Sequence, residues 1–135
     1  MDNDGDLDAF VGEGDGTLNY FENTGTATSP SFAIAQSNPF GLTDVGNSSN
    51  PTFADINGDG RLDAFVGARD GTLIYFENTG TATSPSFAIA QSNPFGFTDI
   101  GFASTPTLVD IDGDGDLDAL VGESDGTLNY FENTG

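Results

Sequence analysis

Apolar and polar residues alternate in short runs along the chain, and turn residues separate one run from the next. In the middle of the sequence, Pro51-Thr52-Phe53-Ala54-Asp55-Ile56 predicts a first strand and Leu62-Asp63-Ala64-Phe65-Val66-Gly67 a second. Thr72-Leu73-Ile74-Tyr75-Phe76-Glu77 predicts an alternating third strand. Asp70-Gly71 supplies a tight hairpin turn between the last two, because glycine accepts positive φ without steric cost. After a loop over 78–85, Ser86-Phe87-Ala88-Ile89-Ala90 predicts a fourth, outer strand. No window carries the 3.6-residue period of an amphipathic helix, and Gly and Pro recur between the runs, so the pattern predicts an all-β chain.

The pattern repeats. Asp8-Ala9-Phe10-Val11-Gly12 returns as Asp63-Ala64-Phe65-Val66-Gly67 and again as Asp118-Ala119-Leu120-Val121-Gly122, with a shift of 55 residues each time. Phe21 to Gly41 is identical, letter for letter, to Phe76 to Gly96. Four short antiparallel strands in a unit of this length describe a β-propeller blade, whose faces are buried only when blades stack side by side. On this period, residues 1–50 form a partial blade without its inner strand, 51–104 a full blade, and 105–135 a partial blade without its outer strand. About two and a half units are fewer than the roughly four to eight of closed propellers. The expectation is a partial propeller completed by homo-oligomerisation, through two chains supplying six partial blades, three chains in a larger ring, or a strand exchange that repairs the cut blades.

Charge narrows the function. The 135 residues hold 22 Asp and Glu against Arg61 and Arg69, a net charge of −20, which excludes nucleic acid and anionic membrane surfaces as partners. No apolar run approaches the ~20 residues that span a bilayer. No secretory leader is recognisable either, so an export signal is expected outside these residues. With neither Cys nor His, the chain has no disulfide, no thiolate or imidazole metal site, and no Ser-His or Cys-His pair. Disorder, the first reading of so acidic a chain, is answered by 12 Phe and three Tyr at regular places among Val, Ile and Leu.

The acids themselves are patterned. Between the first and second strands the middle unit reads Asp55-Ile56-Asn57-Gly58-Asp59-Gly60-Arg61-Leu62-Asp63, and the third reads Asp110-Ile111-Asp112-Gly113-Asp114-Gly115-Asp116-Leu117-Asp118. Side-chain oxygens at loop positions 1, 3, 5 and 9, with glycine at position 6, let a turning backbone aim several ligands at one point. Position 7 contributes its backbone carbonyl, from Arg61 or Asp116, so the arginine is tolerated there. Hard oxygen donors in a flexible loop favour Ca²⁺; Mg²⁺ prefers fewer carboxylates and keeps several waters. An EF-hand is excluded because its position-12 Glu is Val66 or Val121 here, and β-roll nonapeptides do not match the period. The third loop carries four carboxylates and is expected to bind more tightly than the second, which has three plus Asn57 and the nearby charge of Arg61. The first loop keeps Asp2, Asp4 and Asp8, with the carbonyl of Asp6, and has no position-1 Asp.

With this loop in place the chain resembles the FG-GAP or VCBS repeat family, the calcium-loop blades of integrin α-subunit heads and many bacterial surface proteins. Phe40-Gly41 and Phe95-Gly96 match the FG element and Gly67-Ala68 the start of the GAP element, which is degenerate as Gly67-Ala68-Arg69, Gly12-Glu13-Gly14 and Gly122-Glu123-Ser124. The resemblance implies a β-propeller with calcium between the first and second strands of a blade, in a secreted or surface setting with adhesion or recognition roles. The expected function is a non-catalytic, calcium-stabilised module for extracellular recognition, with a protein or glycan as its ligand. A lectin is the alternative, drawing on Tyr20, Tyr75 and Tyr130 with Asn19 and Asn129, although Ile74 breaks that repetition. A self-assembling fragment, excised or designed, is another. Catalysis is disfavoured: Glu22, Glu77 and Glu132 recur identically at strand ends, Asp44 and Asp99 recur before the first strand, and no insertion interrupts the repeat.

Overall fold

In a computed structural model of the chain, residues 1–2, 4–98 and 100–135 are described. Their strands form three antiparallel sheets that do not close on one another. Sheet 1 holds β1 (Ala9–Gly12), β2 (Leu18–Phe21) and β3 (Gln36–Ser37) in that order. Sheet 2 holds β4 (Asn50–Ala54), β5 (Asp63–Gly67), β6 (Leu73–Phe76) and β7 (Gln91–Ser92), also in chain order. Sheet 3 holds β8 (Thr105–Val109), β9 (Asp118–Gly122) and β10 (Leu128–Phe131). All strands are short, and pairing is regular: Phe53 faces Ala64 and Phe65 faces Tyr75 in sheet 2, as Leu108 faces Ala119 and Leu120 faces Tyr130 in sheet 3.

The alternation of side chains gives each sheet a front face, turned to the preceding sheet, and a back face, turned to the next. Leu18, on the back of sheet 1, is buried in one cluster with Ala64 and Val66 from the front of sheet 2. Leu73, on the back of sheet 2, is buried with Ala119 and Val121 from the front of sheet 3. Aromatic rings extend both contacts. Phe10 stacks 4.9 Å from Tyr20 and 4.5 Å from Phe53 across the first interface, while Phe97 meets Phe131 at 4.9 Å across the second.

The connections pin sheets together through the backbone. The segment before β4 enters the β1–β2 hairpin, with Ser49 N–H donating to the Glu13 carbonyl at 3.0 Å and Ser49 Oγ to the Thr17 carbonyl at 2.8 Å. Ser104 repeats this at the β5–β6 hairpin, where its buried hydroxyl donates to the Ala68 carbonyl at 3.2 Å. The approach is so close that a Cβ on Gly67 would lie 2.1 Å from the Ser104 carbonyl oxygen, and one on Gly12 1.9 Å from that of Ser49. Gly122, at the same place in sheet 3, meets only the Leu128 side chain, at 3.6 Å.

The predicted hairpin turn is present, with Gly71 at φ 92° and Asp70 Oδ1 accepting from Thr72 N–H at 3.0 Å. Asp15 and Asp125 accept in the same way from Thr17 and Thr127, at 3.0 and 2.8 Å. The outer strand differs from expectation. It is β7 at Gln91–Ser92 rather than Ser86–Ala90, in which Phe87 makes a single bridge to Asn78 and turns its ring into the core while Ile89 is 92% exposed. Asn93 fixes the true register: at φ 47° its N–H donates to the Leu73 carbonyl at 2.7 Å, and its Oδ1 accepts from Leu73 N–H at 2.8 Å. Phe87 also fills the space between sheets 1 and 2, beside Phe40 and Phe53. The corresponding space between sheets 2 and 3 is a cavity of about 300 Å³ edged by Phe95, Phe97, Leu108 and Phe131.

Two outcomes follow from this packing. Gly67→Ala forces the backbones of sheets 2 and 3 apart and lowers unfolding free energy by about 1–3 kcal/mol. Gly122→Ala, facing a flexible side chain alone, changes it by under about 0.5 kcal/mol; parallel urea denaturation of the two variants checks the pair. The second concerns pH. Thr N–H donors hold the carboxyls of Asp15, Asp70 and Asp125 below their ordinary 3.8. A carboxyl lowered by folding contributes stability that is present above its unfolded pKa and lost as pH falls through its folded one. Replacing all three with Asn keeps the turn acceptor but removes the titration. Melting temperature of the parent therefore exceeds that of the triple variant at neutral pH, and the gap closes on acidification below about pH 4. A gap independent of pH refutes the assignment.

Candidate metal centre

The second and third Asp-rich loops connect β4 to β5 and β8 to β9, the first precedes β1, and glycine shapes them. Gly58 and Gly60 in the second loop, and Gly113 and Gly115 in the third, have φ between 71° and 102°, a region that side chains with a Cβ avoid. Gly60 and Gly115 fulfil the bend expected at position 6, while the second left-handed glycine, at position 4, lay unread in the sequence. With both in place the backbone N–H groups turn inward onto the carboxylates. In the third loop Asp110 accepts from Gly113 at 2.6 Å and Gly115 at 3.1 Å, and Asp112 from Asp114 at 3.1 Å.

Among the described residues, Asp110, Asp112 and Asp118 are the acidic group whose oxygens come together, all within 4.8 Å of one another. Asp118 is nearly inaccessible, and its two oxygens accept from Asn133 N–H at 2.9 Å and Ile111 N–H at 3.1 Å. The Asn133 donor holds its carboxyl below the ordinary range, so Asp118 is ionised at neutral pH. Asp114 stands outside the trio and accepts from Asp116 N–H at 2.9 Å. The donor set is therefore three carboxylates, hard, anionic and close, which suits a divalent cation that takes oxygen ligands.

The second loop is arranged otherwise. Asp55 accepts from Asp59 N–H at 3.0 Å and Gly60 N–H at 2.8 Å, and Asn57 from Asp59 N–H at 3.1 Å. Asp59 is ion-paired to the Arg61 guanidinium, whose Nε donates to the Asn78 carbonyl at 2.8 Å. Asp63 points inward: Oδ1 accepts from Asn78 N–H at 2.8 Å and Oδ2 from the Tyr75 hydroxyl at 3.0 Å. Burial pushes the Asp63 carboxyl up, against the effect of those two donors. The carboxyls at this loop position are thus shifted in opposite directions in the two units, Asp63 up by burial and Asp118 down by the Asn133 donor. In the first loop Asp4 N–H donates to Asp2 at 3.2 Å and Asp6 N–H to Asp4 at 3.1 Å. Asp8 accepts from Asn23 N–H at 2.9 Å and pairs with the Met1 amino group. Burial raises the Asp6 carboxyl, and the charges of Asp4 and Asp2 raise it further.

Position 9 thus has a structural partner in every unit: Asp8, Asp63 and Asp118 each accept from the backbone of Asn23, Asn78 and Asn133. The Asn side chains reach onward. Asn78 Oδ1 accepts from Gly80 and Ser86 N–H, both at 3.1 Å, and its amide donates to the Leu62 carbonyl at 3.2 Å. The recurrence of these asparagines at the period of the repeat was the available signal, and the reading of 78–85 as a plain loop passed over it. Asp44, with Oδ1 on Gly46 N–H at 2.7 Å, shapes a turn, and Asp99 lies outside the described residues.

The tyrosines do not form a repeated surface. Tyr20 and Tyr75 are 3% and 4% exposed, packed against Phe10 and Phe65, whereas Tyr130 is 47% exposed. Asn19 is buried and donates to Glu13, as Asn129 does to Glu123; in the middle unit these positions are Ile74 and Ala68. Glu22 and Glu77 serve through their backbone carbonyls, accepting from Ala33 and Ala88 N–H at 2.8 Å each.

No helix among the described residues is long and apolar enough to cross a membrane. Comparison with curated proteins and with solved structures gave no match. The family model of the FG-GAP-like repeat matches twice, over residues 1–66 and 55–121. Such repeats are generally non-enzymatic and typical of extracellular proteins. By the two matches, which together span most of its length, this all-β chain of unclosed, propeller-like sheets belongs to the FG-GAP-like repeat family.

Proposed function

We propose that the chain is a calcium-stabilised, non-catalytic propeller module for extracellular recognition or adhesion, with its principal ion at Asp110, Asp112 and Asp118. The observation that carries the reading is the convergence of those three carboxylates within 4.8 Å. Like charges so close repel, and a bound cation turns that cost into attraction. The ion's part is structural: it ties the end of β8 to the start of β9, where Asp118 also anchors Asn133. Millimolar extracellular calcium suits an exposed site of this kind, and the cytosol leaves it largely empty.

Among the three loops the third is the strongest site. In the second, position 3 is Asn57 and Arg61 neutralises Asp59, so fewer anionic ligands are available. Titration calorimetry on the full chain tests the order. Calcium at about a hundred times its Kd stabilises by about 2.7 kcal/mol and raises the melting temperature by roughly 10 °C, reversed by chelation. Asp112→Asn weakens the tightest binding event about tenfold or more, whereas Asp59→Asn leaves it unchanged. Absence of calcium binding, or the larger loss with Asp59→Asn, overturns the reading.

A further inference from the structure

We propose that Asn57 modifies itself: its side-chain amide is lost by spontaneous deamidation, which places a carboxylate at position 3 of the second loop. Asparagine is among the chemically labile residue types, and Asn57-Gly58 is the one Asn-Gly pair in the chain. Both residues are exposed. Gly58 has no side chain to shield its nitrogen, stands at φ 71°, and has nothing within 4 Å of where a Cβ would lie. The backbone prepares the reaction in two ways. The Asp59 N–H, shared with Asp55 Oδ1, donates to Asn57 Oδ1 at 3.1 Å, where negative charge develops when the amide carbon is attacked. The attacking group, the Gly58 N–H, donates to no acceptor among the described residues, whereas the equivalent Gly113 N–H is taken by Asp110 at 2.6 Å.

The chemistry balances with water alone. The Gly58 nitrogen bonds to Asn57 Cγ and gives up its proton; the Cγ–Nδ2 bond breaks and Nδ2 leaves with that proton as ammonia. The five-membered succinimide then takes up one water and opens at either carbonyl, to aspartate or to isoaspartate. The other described asparagines lack a free nucleophile. Asn38, Asn50 and Asn93 precede proline, which has no N–H. Asn23, Asn78 and Asn133 precede β-branched Thr, and the Thr24 and Thr79 N–H groups donate to the Ser31 and Ser86 carbonyls at 2.8 and 2.9 Å. The Ser48 N–H, after Asn47, donates to the Gly14 carbonyl at 3.1 Å, and Asn19 and Asn129 lie inside strands before Tyr. At Asn57 the product gives the second loop the same aspartates at positions 1, 3, 5 and 9 as the third, so a cation site is strengthened with time and without an enzyme. That consequence rests on the function proposed above; the deamidation does not.

Incubation of the fresh full chain in mildly alkaline buffer with a chelator, followed by mass spectrometry with fragment-ion sequencing, tests the chemistry. The expected result is a gain of one mass unit, the difference between NH2 and OH, at residue 57 ahead of every other asparagine. Gly58→Ala slows the gain about tenfold, because a Cβ shields the nitrogen and disfavours the positive φ. Asn57→Gln, whose longer arm must close a six-membered ring, stays unmodified over the same period. Both positions are exposed, so the fold survives either change, and far-ultraviolet circular dichroism verifies it. A residue 57 that gains no mass, or gains it no faster than the other asparagines, overturns the proposal. Calorimetry of Asn57→Asp reads the consequence separately: the second calcium-binding event tightens about tenfold. A second event unchanged by Asn57→Asp overturns the strengthening of the loop. Mass gain in a chain that binds no calcium at all supports the deamidation and sinks the function proposed above.

Discussion

A sheet of strands four or five residues long has two apolar faces and too little chain to cover either. Every other feature of this molecule answers that constraint. A leucine on each back face fits against the Ala-Val pair on the next front face, so each unit is stable only as the neighbour of another. Burying such side chains is worth roughly 1.5–3 kcal/mol each, whereas a single ladder of short strands barely offsets its own ordering. The glycines at the ends of β1 and β5 belong to the same solution: they let the next unit's serine reach the hairpin backbone, which ties the sheets by directional bonds as well as by contact. Stability is therefore distributed along the array rather than centred in one core, as in other repeat architectures.

Within that array the position-9 aspartate joins two tasks. Its backbone acceptor role, to Asn23, Asn78 or Asn133, is the same in all three units and closes the third strand onto the loop. Its remaining capacity differs with what surrounds it. Burial dominates at Asp63, which takes the Tyr75 hydroxyl, while the Asn133 N–H dominates at Asp118, which lies beside Asp110 and Asp112. A single residue type in a single motif can thus, equally buried, be a clamp on its neighbours in one copy and a member of a carboxylate trio in another. The loop letters differ as well, Asn57 standing where the third loop has Asp112 and Arg61 where it has Asp116.

This explains which parts of the molecule were legible in its sequence. The 55-residue period, the inner three strands and the Asp-Gly turns were readable, because alternation and glycine placement are local signals. The outer strand was not. Ser86–Ala90 has the apolar alternation, but its Phe87 is drawn into the gap between sheets, whereas the true strand, Gln91–Ser92, is polar and exposed and is set in register by Asn93. The loop aspartates were readable as a group, yet their division into Asp110, Asp112 and Asp118 on one side and Asp114 on the other was not. That division depends on which backbone N–H each carboxylate captures, a matter of geometry within a few ångströms.

One pair of differences between the near-identical copies shows the constraint at work. Glu13 with Asn19 and Glu123 with Asn129 give way in the middle unit to Ala68 with Ile74, and the latter two lie in the apolar cluster against sheet 1. Either half of the exchange alone is costly. An Asn at position 74 opposite Ala68 has no carboxylate to receive its amide, and burying an unmatched amide costs about 1–3 kcal/mol. A Glu at position 68 opposite Ile74 places a charge against a sheet face with nothing to pair it. The two positions therefore vary as a unit, polar with polar and apolar with apolar. The front face of a sheet carries a second layer of matching beyond its Ala-Val pair, and that layer is what can distinguish one interface from another in an array whose strands are otherwise nearly the same.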